Sequence, residues 1–283
     1  MTGVQTCALP ISRITGGIDL SLGAIVALTG IVVDMLMNKL GIHWVPAIIL
    51  TIMIGALIGL FNGFIVAKIK VPAFVVTMAA KTYLYGVALV VSEGAMLAIL
   101  GPKQFIAIGT GRFLGLPNPI YIMVVLAVAS QFLLRRTAFG RRVMAVGSNE
   151  VAAKLSGVDP DRVRLMAYTL SGATSAVGGV VFASLTQQVF AAAASGIELE
   201  VMTALVIGGT SAVGGRGSVF GAIIGAVMVA FIINGLNLLN VPAPFHPIVT
   251  GVVILVALVL NSGTADPLAF LGLGKKRKTD IAA

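Results

Sequence analysis

Eight apolar runs, continuous for about 16 to 23 residues in most cases, limit what this chain can fold into more than any other feature. They cover about 20–37, 45–67, 72–92, 119–134, 165–186, 199–213, 217–238 and 246–261, each ended by glycine, proline or charge. A helix needs about 20 such residues to cross the hydrocarbon core of a bilayer, whereas the strands of a membrane barrel alternate polar and apolar over about ten. The runs do not alternate. Only 10% of the residues are charged, against about 25% in a soluble domain. The reading is an all-α, polytopic helical membrane protein with about eight transmembrane helices.

The net charge of +9 falls between the apolar runs rather than on a nucleic-acid-binding stripe, so no nucleic acid is expected as a partner; the lipid bilayer is. Thirty residues, 135–164, hold ten of the 29 charged side chains. If that island is cytoplasmic, helix alternation places every other loop. Arg13, Lys68, Lys70, Arg135, Arg136, Arg141, Arg142, Lys154, Arg162, Arg164, Arg216, Lys275, Lys276, Arg277 and Lys278 then fall inside, and only Lys39, Lys103 and Arg112 outside. That asymmetry is what the positive-inside rule demands. One cysteine, Cys7, permits no internal disulfide, and His43 and His246 lie far apart in sequence, so neither a metal nor a bound cofactor is expected.

The first residues, MTGVQTCALPIS, have no basic n-region and no apolar core of the kind a secretory signal carries. Residues 1–13 are read as a non-native leader resembling a translated sequencing adapter, with native residues expected upstream. Residues 14–264 form the transmembrane domain, with a loop at 135–164, and 265–283 a basic tail.

Within the island, Asn149 can cap a helix that opens with Glu150, where a carboxylate favours the positive helix end. VAAKL follows, and Gly157 can supply a left-handed stop. The expectation is a helix of about two turns over 149–156, too short to be stable without something to dock on. Its small face, Ala152 and Ala153 beside Val151 and Leu155, fits a shallow groove on a partner; a solvated loop lying on anionic lipid is the plainer alternative.

Polar groups inside the runs are few. Lys81 lies near the middle of the third, as either a pathway residue or a structural lysine paired within the bundle. Asp19, Asp34, Glu198 and Glu200 sit near run ends, where capping is the simplest role. Gln187, Gln188, Asn234 and Asn237 offer neutral hydrogen-bonding groups to a solute, or bonds between helices. The run 199–213 is short and leads into GGTSAVGGRG, so a half-helix is an alternative to a full span. GALIG at 55–59 and GAIIG at 221–225 hint at an inverted repeat, although small residues every fourth position are ordinary helix-packing surfaces. No G-x-x-x-x-G-K-[ST] sequence occurs to hold ATP phosphates. Residues alone therefore reach a multi-spanning transporter with a docking loop.

Four stretches carry a resemblance: TGGIDLSLGA at 15–24, FGRRVMAVGSNEVAAKLSG at 139–157, IGGTSAVGGRGSVFGAIIGA at 207–226 and NGLNLL at 234–239. The chain is similar through them, from about Ile14 to about Leu260, to the permease subunits of monosaccharide ABC importers of the ribose, xylose and arabinose type. GGIDLS resembles the sugar branch in particular. The resemblance implies a multi-pass protein of the bacterial inner (plasma) membrane, a pair of permease copies (a homodimer), a cytoplasmic ABC ATPase that binds the ATP, and a periplasmic sugar-binding protein. It implies about ten helices where eight are drawn here. It assigns 135–164 as the loop that contacts the ATPase, through Arg141, Arg142, Asn149, Glu150, Ala152, Ala153, Lys154 and Gly157. The signature turns are Gly16, Gly17, Asp19 and Ser21, and Gly208, Gly209, Thr210, Ser211, Gly214 and Gly215.

This sequence departs from the family pattern at three places. Ser148 stands where relatives carry a second glycine, IELE replaces the usual Tyr-Glu-Leu-Asp while keeping Glu200, and Tyr85 occupies a position often held by arginine, with Lys81 one turn earlier. Asp19 and Ser21 are expected to cap the first run or to move with GGTSAVGG as a pathway opens. Lys81, Gln187, Gln188, Asn234 and Asn237 are the candidate pathway residues, and Lys103 and Arg112 candidate contacts for the binding protein. The expected function is a transport subunit rather than an enzyme, passing a simple sugar under ATP drive. The alternative is an ATP-independent carrier or channel for a small neutral solute.

Overall fold

The computed structural model describes residues 17–210, 215 and 217–261. Among them, eleven α-helices carry the fold: α1 Leu22–Asn38, α2 Trp44–Phe64, α3 Ala73–Val91, α4 Lys103–Thr110, α5 Asn118–Arg136, α6 Ala138–Ser148, α7 Glu150–Leu155, α8 Pro160–Thr186, α9 Ile197–Ile207, α10 Val219–Leu238 and α11 His246–Asn261. A π-helical turn, Ile65–Ile69, extends α2. Among the described residues, strand structure is limited to two pairs of two-residue segments. Leu97–Ala98 (β1) lies antiparallel to Gln188–Val189 (β4), and Arg112–Phe113 (β2) to Leu116–Pro117 (β3).

Five helices are long and apolar enough to cross a membrane: α2 with its extension, α3, α5, α8 and α10. α1 and α11 are apolar but shorter. The sixth expected span is α9, whose 11 residues reach only about 16 Å. It is a half-helix.

α8 is the shaft of the bundle. Of its apolar window 56% is buried, against 17–28% in the other four long spans, which leaves their outward faces to lipid. It packs against α1, α2 and α4. Glycine makes the closest of these contacts possible: a side chain at Gly55 or Gly59 would strike the α8 backbone at Gly172 or Tyr168. GALIG is therefore a packing seam. GAIIG is another, because Gly221 and Gly225 bring α10 against Gly208 and Ala204 of α9. With little hydrophobic drive between helices in lipid, such close backbone approach supplies the association.

The bundle has two distinct ends. At one, Lys68 and Lys70 meet Asp161 and Arg164 meets Glu150, beside α6 and α7. At the other, Lys39 pairs with Glu93, 3.3 Å apart, and the β1/β4 pair joins the ends of α3 and α8.

Candidate functional site

The charged island folds as two helices rather than one. α6 was not expected, yet its sequence carries the signal: Gly140, Val143 and Val146 are three residues apart and all buried. Thr137 caps it, its Oγ1 accepting from the Gly140 amide at 3.2 Å. Arg141 and Arg142 are left exposed.

α7 forms over Glu150–Leu155, close to the expected 149–156, and by the expected means. The Asn149 side chain accepts from the Ala152 amide at 3.0 Å, and Gly157 adopts φ +80, the left-handed region. Which face it offers is a correction. Ala153 is 5% exposed and packs inward with Val146 and Val163, whereas Val151 and Leu155 are 69% and 84% exposed. Ala152 and Lys154 share the outward side. The outward face thus presents Val151 and Leu155 with Ala152 and Lys154 beside them, and Ala153 is not part of it. Glu150 fastens the helix to α8 through Arg164, whose two terminal nitrogens donate to both carboxylate oxygens at 2.9 and 2.5 Å.

Of the signature turns, Gly16, Ser211 and Gly214 lie outside the described residues. Gly17 sits against the Tyr168 ring, where a side chain would collide. Asp19 does not cap α1 as expected. The N-cap position is Ser21, and its side chain makes no capping bond. Instead Asp19 is a buried hub: Oδ1 accepts from the Ser21 amide and hydroxyl at 3.1 and 2.6 Å, and Oδ2 from Ser171 of α8 at 2.9 Å. Asn62 of α2 donates to Ser21, and Thr77 of α3 to the Ile18 carbonyl. One short turn is tied to three helices.

The other turn follows α9. Gly208 and Gly209 end the half-helix, Gly209 at φ +77 and Thr210 buried. Gly215, at φ +76, lies directly on Ser148 at the end of α6. Gly215, between α9 and α10 in sequence, therefore touches the island.

Before α9, residues 187–196 run without helix from the β1/β4 end to the start of α9, with Val189, Ala191 and Ala194 buried. Irregular backbone at membrane depth is tolerated where protein or a cavity surrounds it. Both are present here. A cleft of about 320 Å³ opens beside this segment, between α1 and α3. Met78, Lys81, Thr82 and Tyr85 line it from one face of α3, and Ser195 and Glu198 from the start of α9. Lys81 lies eight residues into α3, about 12 Å from its start. Its ammonium forms an ion pair with Glu198, whose side chain is 2% exposed while that of Lys81 is 37% exposed. Glu198 was expected to cap; its role is counter-ion to Lys81, and Gly196 holds the N-cap position of α9. A pair between residues 117 positions apart has no local sequence signal.

The other candidate pathway residues lie elsewhere. Gln187 and Gln188 are exposed at the β1/β4 end, and Asn234 and Asn237 are exposed near the C-terminal end of α10. None lines the cleft. Lys103 and Arg112 are exposed on that same end. Among the described residues there is no group of three or more His, Cys, Asp or Glu placed to hold a metal ion.

A family model described as branched-chain amino acid transport system / permease component matches residues 7–258. The ribose import permease protein of Bacillus subtilis (strain 168) is 42% identical over 250 residues, covering 88% of this chain and 77% of that protein. The ribose import permease protein of Escherichia coli (strain K12) is 34% identical over 265 residues, covering 93% and 82%. The L-arabinose transport system permease protein of the same strain is 32% identical over 261 residues, covering 92% and 79%. No solved structure matches the chain.

Proposed function

This chain belongs to the branched-chain amino acid transport system / permease component family, and from that membership we propose that it is the membrane-spanning subunit of an ATP-driven importer for a simple sugar. It is a multi-pass inner-membrane protein, a transport subunit and not an enzyme, and its relatives include permeases for ribose and arabinose. In the proposed assembly two copies enclose the pathway. A periplasmic binding protein delivers the sugar at the β1/β4 end, where Lys103 and Arg112 are exposed, and a separate cytoplasmic ATPase docks on α6 and α7.

The observation that carries the reading is the construction of α7. A six-residue helix cannot hold itself together, and this one is capped by Asn149, bonded through Glu150 to the central span, and left with Val151 and Leu155 bare. Such a helix is built to receive a partner and to pass force to α8. The cleft at Lys81, apolar over most of its lining with a few polar groups set into it, gives a neutral polyol a way-station part-way along α3. Ser195, Thr82 and Tyr85 offer hydroxyls there.

Reconstitution tests this directly. Proteoliposomes holding the permease with a cognate ABC ATPase and sugar-binding protein should take up D-ribose or L-arabinose only when ATP is supplied. Equal uptake by the permease alone would make it a carrier or channel instead.

A further inference from the structure

The geometry points to Glu198 as a positioning residue that holds Lys81 across the cleft, the two together forming a releasable gate on the transport path. This rests on the reading of the cleft as part of that path. The pair joins α3 to the first turn of α9, two elements brought together only by the fold. A carboxylate buried at membrane depth is costly unless it is paired and its oxygens are satisfied. Here it is only half satisfied. Lys81 engages Oε1, while Oε2 is buried without a hydrogen-bond partner, lying over Gly23 where a side chain would block it.

The contrast with Glu150 is instructive, since both of its oxygens accept from Arg164. A tie meant only to hold helices together gains most when every oxygen is used. A one-oxygen tie has fewer hydrogen bonds to lose than a two-oxygen one, and water entering the cleft can replace the bond that is lost. Lys81, open to the cleft, can be hydrated or can donate to sugar hydroxyls once released.

α9 supplies the lever. Glu198 stands at its first turn and Gly208 and Gly209 close its other end, while Gly215, further along the chain, is seated on Ser148 beside the docking helix. A tilt of α9, a helix of about 16 Å, displaces the carboxylate from Lys81. Closed, the pair bars the cleft; displaced, it opens the cleft, and water entering there takes the place of Lys81 beside the Glu198 carboxylate.

The test uses the full complex in proteoliposomes preloaded with radiolabelled ribitol, a neutral polyol of pentose size, without ATP. Glu198→Gln and Lys81→Gln should each raise passive release about tenfold or more, the change expected when one partner of a buried pair no longer favours the closed state. The exchanged pair, Lys81→Glu with Glu198→Lys, should bring release back near the wild-type rate. Melting of the solubilised complex separates gating from folding. Wild-type release in both single variants overturns the gate, as does a lowered melting temperature without leak, or an exchanged pair no tighter than the singles. ATP-driven pentose uptake by the wild type is scored separately, so failure of the importer reading shows there and failure of the gate shows in ribitol release.

Discussion

Arg164 donates to both carboxylate oxygens of Glu150, at 2.9 and 2.5 Å, and this bidentate bond joins the six-residue α7 to the longest helix of the bundle. The Glu150 side chain is 43% exposed, so the bond adds little to global stability, about 1 kcal/mol or less for a pair of this exposure. Its value lies in orientation. Glu150→Ala should leave the yield and melting of the permease nearly unchanged while ATP-driven uptake falls at least several-fold. Exchanging the charges, Glu150→Arg with Arg164→Glu, should restore part of that uptake. A fall in yield matching the fall in uptake would show a merely structural bond.

Val151 and Leu155 separate docking from folding. Both are exposed, and polar substitutions at such positions usually change stability by no more than about 0.5 kcal/mol. Leu155→Asp should therefore preserve the fold but weaken co-purification of the ATPase. Ala153→Trp, by contrast, must fit an indole among Val146 and Val163, overpacking that costs about 1–3 kcal/mol. It should lower the melting temperature as well. Equal effects of the two variants on ATPase binding at unchanged melting would contradict the inward placement of Ala153.

The spans were legible because lipid enforces length and continuity: the expected 45–67 and 165–186 appear as Trp44–Phe64 with its π turn and Pro160–Thr186. The capped helix at 149–156 was legible because Asn149 and Gly157 act on their immediate neighbours. Other features were hidden for physical reasons. The inward placement of Ala153, against Val146 and Val163, was hidden because a six-residue helix has too few turns for periodicity to reveal its buried face. Glu198 looked like a cap, since its partner Lys81 is reached only through tertiary packing. Asp19 looked like a cap too, and its bond to Ser171 depends on α8 lying alongside. α6 was hard to read because its buried stripe is only Gly140, Val143 and Val146, short, led by a glycine and interrupted by the exposed Arg141 and Arg142.

Asp19 accepts three hydrogen bonds and faces only donors: the Ser21 amide, the Ser21 hydroxyl and the Ser171 hydroxyl. Asp19→Asn turns one oxygen into a donor, leaving at least one buried group to reorient or go unmatched, at a cost of about 1–3 kcal/mol. The expected result is reduced thermal stability of the solubilised protein. Ser171→Ala should cost less, because it removes a donor while leaving the Ser21 bonds in place. The reverse order would place the weight of the hub on Ser171.

Gly172 and Gly59 test the α2/α8 seam. A side chain at either meets backbone on the opposite helix, so no rotamer change relieves the clash, and separation of the helices forfeits the close packing that lipid does not replace. Gly172→Val should lose most folded protein. Gly86→Ala, on α3 with nothing within 4 Å of its added carbon, is the control and should leave yield unchanged or slightly raised.

Gly215 and Ser148 link the glycine segment after α9 to the docking loop. A Cβ on Gly215 would lie 2.7 Å from Ser148 Oγ, 2.8 Å from its Cα and 2.9 Å from its backbone nitrogen, at a φ of +76 that side chains rarely adopt. Gly215→Ala therefore carries two penalties, backbone strain of about 1 kcal/mol or more and a steric push against α6. Uptake should fall more than folded yield if α6 docks the ATPase as proposed, because the contact lies at the island rather than in the core of the bundle. Trimming the opposing side chain should not help. Ser148→Gly removes Oγ, but the clashes with the Ser148 Cα and nitrogen persist, so Gly215→Ala with Ser148→Gly should remain as defective in ATP-driven uptake as Gly215→Ala alone. Recovery in the double variant would mean that the hydroxyl, not the backbone of α6, sets the distance between the two segments.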